Sequence, residues 1–169
     1  MQNNHQFSEF CDKVKISKLV MLQYLFYNIT FMEDVMRIEK TLVIIKPDAV
    51  KRKLIGKIVS VYEEKGLSID KMALLMAEDS KLEQHYRIHA EKSFYPQLMA
   101  FMKSGPMVVL SVSGENAIDL VRRLNGATNP CESEVGSIRG RFAISATFNC
   151  VHGSDSFENA ENEHRIWFG

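Results

Sequence analysis

The chain alternates between short apolar runs and longer segments in which apolar residues recur every three or four positions. Residues 41–45 form an apolar, mostly β-branched run, and this pattern predicts a buried strand. The strand must end at Pro47, because proline has no N–H to give to a sheet ladder. Residues 55–62 carry apolar side chains at helical spacing, and Lys65-Gly66 then provides a typical helix end.

The same pattern predicts the remaining elements. Two further strands are expected at residues 68–77 and 107–112, and a fourth strand is expected to end at His152. Helices are expected at residues 80–90 (with Ser80 as the cap), 94–103, 115–124, 138–142 and 158–168. Two β-α-β units separated by helices make the split ferredoxin-like βαββαβ fold. We therefore expect an α+β domain with an antiparallel sheet and surrounding helices, which would cover one sheet face.

Composition excludes several function classes. The 169 residues carry 21 basic and 21 acidic side chains, so no strong overall field for nucleic acid or membrane is expected. The three cysteines have no metal-ligand spacing and are typical of reduced thiols in a cytosolic protein. The sequence has no Walker A loop, no GxGxxG and no HExxH, so any nucleotide chemistry must use another device.

The stretch around His152 carries the most chemical information. A strand is expected to end at this histidine, and the chain is expected to turn at Gly153, where the lack of a Cβ permits an unusual φ. Ser154 or Ser156 can cap the following helix. A neutral imidazole keeps one nitrogen lone pair and can attack an electrophile. A buried, hydrogen-bonded histidine is the alternative interpretation of the same stretch.

Three other segments accompany the histidine in a fixed order: Lys46-Pro47-Asp48 after the first strand, Thr128-Asn129-Pro130, and Gly136-Ser137-Ile138-Arg139-Gly140. With the histidine stretch they resemble the nucleoside diphosphate kinase family, from about residue 38 to residue 168. The resemblance implies a ping-pong transfer of the γ-phosphate of a nucleoside triphosphate to a nucleoside diphosphate, through phosphohistidine at His152. Two alternatives are a catalytically silent relative that acts as a binding or scaffold protein, and a ferredoxin-like nucleic-acid-binding module.

The resemblance also implies roles for individual residues. The catalytic set that it implies is His152, Lys46, Glu163, Ser154 and Tyr86. The nucleotide-binding set that it implies is Lys46, His89, Phe94, Leu98, Arg122, Thr128, Arg139 and Asn149. In this interpretation Glu163 holds His152 in one tautomer, Phe94 and Leu98 clamp the base, and the arginines bind phosphate. Because Asn149 lies three residues before His152, a bend is needed for both to reach one ligand.

Cofactors and partners follow from the same resemblance. Mg²⁺ is expected to bridge the nucleotide phosphates, with Asp155 holding one of its waters. The expected partners are nucleoside tri- and diphosphates and further copies of this chain. Self-association is expected through the sheet edge or an uncovered apolar face, as a hexamer first and a tetramer second. No specific nucleic acid and no membrane are expected as partners, and the expected location is the cytoplasm. His85 and His89 have the i, i+4 spacing of a metal pair, but the sequence shows no third ligand beside them.

The first 35 residues differ from the rest. Three lysines precede the mostly apolar run 19–32, which is too short and too polar to span a bilayer. Glu33 and Asp34 follow it in place of a signal-peptide cleavage pattern. Residues 1–35 are therefore expected to be a dispensable N-terminal extension of uncertain role. The kinase domain is expected at residues 36–169, since members of the resembled family begin just before the strand that carries Lys46.

Overall fold

The computed structural model describes residues 38–169, together with the single position Gln23. The chain divides into two units, residues 1–37 and 38–169, and the fold given below is that of the second unit. The predicted extension, and a domain start at Met36, lie outside the described residues apart from Gln23. Within the described part, no helix has the length and apolar character needed to cross a membrane.

A four-stranded antiparallel sheet forms the centre of this unit. Its strands are β1 (Ile38–Ile45), β2 (Ser68–Leu75), β3 (Met107–Glu115) and β4 (Val151–Gly153). They lie in the order β2-β3-β1-β4, and every neighbouring pair is antiparallel. This order confirms the predicted ferredoxin-like α+β fold. The short β4 pairs with the end of β1, and His152 lies opposite Ile44.

Helices connect the strands. They are α1 (Pro47–Lys51), α2 (Ile55–Glu64), α3 (Asp79–His85), a 3₁₀ turn (Arg87–His89), α4 (Tyr95–Met102), α5 (Ala117–Asn125), α6 (Ile138–Phe142) and α7 (Phe157–Phe168). The pattern did not predict α1, which begins at Pro47 because the fixed φ of proline suits the first turn of a helix. The prediction of Ser80 as a cap was wrong, since Glu78 takes that position and α3 ends at His85.

Helices pack on both faces of the sheet, so the expectation of one covered face was wrong. Because side chains alternate along a strand, Val43 and Ile45 enter one core, which α1, α2, α5 and α6 cover. Leu42 and Ile44 enter a second core on the opposite face, where α3, α4 and α7 supply the partners. The central strand β1 is therefore buried on both sides, and its C-terminal end and the adjoining β4 lie between the two cores.

Candidate active site

A cavity of about 560 Å³ opens beside β4, between α3, α5 and α7. Eight of the residues that the sequence predicted for the site line it: Tyr86, His89, Arg122, Thr128, Arg139, His152, Asp155 and Glu163. Lys46, Asn149 and Ser154 lie behind this wall as buried side chains. The cavity therefore combines histidines, arginines, hydroxyl groups and carboxylates in one place, a composition that suits a phosphorylated ligand.

A three-residue turn, centred on Cys150, leads into the histidine. Cys150 has a φ of 67°, and the N–H of Val151 donates to the carbonyl of Asn149 at 2.7 Å. This is a γ-turn, a strained conformation for a residue with a side chain. The N–H of Cys150 donates to Oδ2 of Asp48 at 3.2 Å, which helps to hold the turn. The turn supplies the bend that the spacing of Asn149 and His152 requires.

Gly153 serves packing, and the prediction of an unusual φ there was wrong. Its φ lies outside the left-handed region, which in this loop is occupied by Cys150. A Cβ on Gly153 would lie 2.8 Å from Nδ2 of Asn125 and 3.0 Å from Cγ1 of Val121. Asn125 has little room to move, because its Oδ1 accepts a 2.6 Å hydrogen bond from the buried Tyr62 hydroxyl. Glycine is thus needed where β4 passes against α5.

Glu163 joins the histidine to the sheet. Its Oε1 lies 3.0 Å from Nε2 of His152, and its Oε2 accepts a 2.6 Å hydrogen bond from the hydroxyl of Ser154. The same hydroxyl oxygen accepts the N–H of Leu42 in β1 at 3.2 Å. Burial alone would raise the pKa of Glu163, but the hydrogen bond and charge of His152 bring it below its ordinary value. Glu163 is therefore a carboxylate at neutral pH.

An ionised carboxylate accepts hydrogen bonds and donates none. Nε2 of His152 must therefore carry the proton in its contact with Glu163, which leaves the lone pair of a neutral imidazole on Nδ1. The His152 side chain lines the cavity and is 26% exposed, so a ligand can reach it. The geometry thus leaves Nδ1 as the nitrogen with a free lone pair, a choice that the sequence left open.

Lys46 and Asn149 form a buried pair behind the cavity wall. Nζ of Lys46 donates to Oδ1 of Asn149 at 2.7 Å, and Nδ2 of Asn149 donates to the carbonyl of Ala146 at 2.9 Å. Burial, together with the positive charge of Arg139, lowers the pKa of Lys46 to about 8. The ammonium is thus predominantly charged at neutral pH and is fixed in direction by its amide partner.

The three arginines near α5 have different surroundings. Arg139 reaches inward, where Nη1 donates to the carbonyl of Gly126 and Nη2 donates to the carbonyl of Val151 at 2.8 Å. Burial lowers its pKa from the ordinary arginine value. Arg122 lines the cavity, whereas Arg123 forms an ion pair with Asp119 at 2.8 Å on the helix exterior. Of the adjacent pair on α5, Arg122 is therefore the one placed to meet a ligand.

The predicted base clamp lies beyond the main cavity wall. Phe94 is 48% exposed, and its ring centroid lies 5.5 Å from that of His89, which does line the cavity. Leu98 packs against the second core. Asp155 lines the cavity, and its Oδ1 accepts a 2.6 Å hydrogen bond from Asn159. That hydrogen bond lowers the pKa of Asp155 and keeps it ionised.

The sequence missed the part that His85 plays in the site, having considered it only with His89. His85 is buried, its ring centroid lies 4.6 Å from that of His152, and its Nδ1 lies 3.9 Å from Oε1 of Glu163. A signal was present, since Leu82 lies three residues earlier and predicts that His85 shares the core face of α3. Spacing along the chain could not show that His152 lies against it.

Known proteins resemble this chain in both sequence and structure. The family model described as "Nucleoside diphosphate kinase" matches residues 39–169. A nucleoside diphosphate kinase of Clostridium perfringens strain SM101 is 52% identical over 133 residues, 79% of this chain and 93% of the relative. One of Methanocaldococcus jannaschii is 49% identical over 130 residues, 77% of this chain and 93% of the relative.

Two solved structures agree with the sequence comparison. The apo nucleoside diphosphate kinase of Encephalitozoon cuniculi aligns with a TM-score of 0.76 at 39% identity and covers 78% of this chain and 89% of its own. That of Aquifex aeolicus also gives 0.76, at 34% identity, and covers 79% of this chain and 96% of its own.

The contact of Gly153 with α5 makes a testable prediction. Gly153→Ala should lower the free energy of unfolding by about 1–3 kcal/mol, because the added methyl overpacks against Asn125 and Val121. Gly56→Ala is the matched control, since a Cβ at that helical position would meet no atom within 4 Å other than its chain neighbours and the backbone of its own helix. The control should be neutral or stabilising by up to about 1 kcal/mol. Denaturant unfolding measures both, and equal effects would contradict the packing argument.

Proposed function

This chain belongs to the nucleoside diphosphate kinase family, and we propose that it transfers the terminal phosphate of a nucleoside triphosphate to a nucleoside diphosphate through His152. The observation that carries the proposal is the contact of Nε2 with the buried Glu163 carboxylate, which leaves the lone pair on Nδ1. A nucleophile oriented by a hydrogen-bonded partner is what covalent catalysis requires.

The proposed chemistry is a displacement at phosphorus. Nδ1 of His152 forms a bond to the γ-phosphorus, and the bond from that phosphorus to the β–γ bridging oxygen breaks, so that the diphosphate leaves with the electron pair. A terminal oxygen of a second diphosphate then attacks the phosphohistidine and regenerates the imidazole. Glu163 stays ionised and accepts a hydrogen bond from the protonated Nε2 throughout. The rate enhancement comes mainly from positioning of the reactants and neutralisation of phosphate charge.

Unpaired buried donors support phosphate as the group in transit. Among residues 38–169, the hydroxyl of Tyr86 and Nε of Arg139 are buried without a hydrogen-bond partner. Such groups are costly unless a ligand or water satisfies them. Burial raises the pKa of Tyr86, and the charge of Glu163 raises it further, so Tyr86 remains a protonated donor. Arg122, Thr128 and His89 offer further donors around the cavity.

The proposed contacts of the sugar and base involve residues outside the lining of the main cavity. We assign the sugar hydroxyls to Lys46 and Asn149 and the base to Phe94 and Leu98. Stacking on an apolar clamp does not read the hydrogen-bonding edges of a base, so the enzyme should accept all common bases, on ribose or deoxyribose. The exposed ring of Phe94 beside His89 supports this placement.

A divalent metal ion fits the rim that holds Asp155. This carboxylate lines the cavity, stays ionised and accepts a hydrogen bond from Asn159, and Mg²⁺ usually binds through one or two carboxylates, waters and substrate phosphates. We propose Mg²⁺, with Asp155 contacting it through water. When bound to the nucleotide, the ion neutralises charge on the phosphates.

Residues 36–169 are the proposed catalytic domain, and the cytoplasm is the proposed location.

Self-association is proposed from the sheet edge. Helices pack on both sheet faces, but the edge strand β2 and the residue that follows it leave Met72, Leu74 and Met76 60%, 63% and 58% exposed. An exposed apolar edge strand is a pairing surface. Light scattering should give a mass near that of a hexamer of 19.3 kDa chains, or of a tetramer, and Leu74→Lys should lower it. A wild-type monomer at micromolar concentration would contradict this proposal.

Covalent catalysis at His152 is tested by labelling. His152→Ala should reduce phosphotransfer below about a hundredth of wild type and abolish the acid-labile, alkali-stable ³²P label from [γ-³²P]ATP, because loss of a nucleophile costs several decades. His164→Gln is the matched control, since His164 bonds to Ala160 and Ser111 away from the cavity. A label retained in His152→Ala would contradict the proposal. A wild-type protein that takes no label would favour a catalytically silent relative that acts as a binding protein.

The charge of Lys46 predicts a pH limit. Its pKa of about 8 means that the free enzyme loses this charge as the pH rises through that value. We expect kcat/KM for ATP to fall above about pH 8, since kcat/KM reports ionisations of the free enzyme. Lys46→Arg should lose this alkaline limb because a guanidinium keeps its proton. An unchanged limb in that variant would assign the ionisation to another group.

A further inference from the structure

A second histidine shares the carboxylate that orients the nucleophile. Nδ1 of His85 lies 3.9 Å from Oε1 of Glu163, the same oxygen that contacts His152 at 3.0 Å. If Nδ1 of His85 carried a proton, it could donate to that oxygen after a small movement. Glu163 would then divide its hydrogen bonding between two imidazoles, and the orientation of His152 would weaken.

The indole of Trp167 determines where the proton on His85 lies. Its Nε1 donates a buried 3.2 Å hydrogen bond to Nδ1 of His85. An indole N–H can only donate, so Nδ1 must be the unprotonated nitrogen of the ring. The proton of the neutral imidazole therefore lies on Nε2. A metal ion held by Nδ1 of His85, with His152 and Glu163, would have to displace the indole N–H.

Burial removes the remaining possibility, a doubly protonated ring. Desolvation, together with the positive charge of the neighbouring His152, lowers the pKa of His85 to about 3, so His85 stays neutral across the working range of pH. The neutral ring then has two tautomers, and the contact with Trp167 selects one of them. Among the described residues, Nε2 of His85 is buried without a hydrogen-bond partner. The fold thus tolerates an unsatisfied group to keep this tautomer, which is typical of functional sites.

We infer that Trp167 is a positioning residue for catalysis: its indole N–H fixes His85 as the Nε2–H tautomer and so reserves Oε1 of Glu163 for His152. Trp167 does not touch the reacting atoms in this account and acts through His85. The inference rests on the proposed function insofar as His152 is the nucleophile. The tautomer itself is a property of the folded protein and can be measured without any reaction.

The first experiment reads the tautomers directly. Long-range ¹H–¹⁵N correlation spectra of the full chain should show His85 protonated on Nε2 in the wild type. Trp167→Phe keeps an aromatic ring but removes the N–H, and should give signal for His85 protonated on Nδ1. His164 is the internal control, because its Nδ1 contacts the Ala160 carbonyl and its tautomer should not change. Wild-type His85 protonated on Nδ1, or a tautomer unaffected in Trp167→Phe, would overturn the inference.

The second experiment separates tautomer control from packing. Trp167→Phe should lower the rate of His152 phosphorylation at saturating ATP by about tenfold, a typical loss when the partner that orients an imidazole is disturbed, with KM little changed. The double variant His85→Phe/Trp167→Phe should recover much of that loss, because phenylalanine cannot donate to Glu163. A double variant no faster than Trp167→Phe would show that Trp167 only packs, and would overturn the inference.

The two experiments also distinguish this inference from the proposed function. If the predicted tautomer change occurs but wild-type enzyme acquires no phosphohistidine, the kinase mechanism fails and the reservation of Glu163 for a nucleophile fails with it, while the Trp167 contact with His85 stands. If phosphohistidine forms and the tautomer is insensitive to Trp167→Phe, the mechanism stands and only the positioning role is lost.

Discussion

The buried carboxylate of Glu163 is the contact on which the rest of the site depends. One oxygen meets His152, and the other meets Ser154, whose hydroxyl is bonded to the backbone of β1. The final helix, the central strand and the short β4 are therefore joined through a single side chain. Since that strand is buried on both faces, the position of the imidazole is fixed by the most deeply packed part of the domain.

The site concentrates polar groups that a folded protein ordinarily avoids burying. Lys46 is 8% exposed and Glu163 is 9% exposed, and donors on Tyr86 and Arg139 lack partners among the described residues. Cys150 adds a strained φ immediately before β4. Such costs persist only where surrounding structure holds them in place. The two cores on either side of β1 provide that support.

Much of this could be predicted from the sequence, and the failures have physical causes. The apolar run 41–45 identified the central strand, and the Gly-Ser-Asp-Ser sequence after His152 identified the strand-to-helix junction. The sequence left the cap open between Ser154 and Ser156, and the structure shows that it is Ser156. The sequence predicted an unusual φ at Gly153, whereas the positive φ is at Cys150. Glycine is typical both of a left-handed φ and of close packing, and Gly153 is required for close packing. The role of His85 depends on a contact with His152, 67 residues later, which local patterns do not encode.

The central claim is that Nε2 of His152 carries a proton and donates it in a hydrogen bond to Glu163, so that Nδ1 takes the phosphate. The most direct test is ¹H–¹⁵N and ³¹P NMR of the enzyme phosphorylated with ATP and freed of nucleotide. The account predicts one phosphorylated histidine, with phosphorus bonded to Nδ1 of His152 and a retained proton on Nε2. Phosphorus on Nε2, or on a residue other than His152, would contradict it.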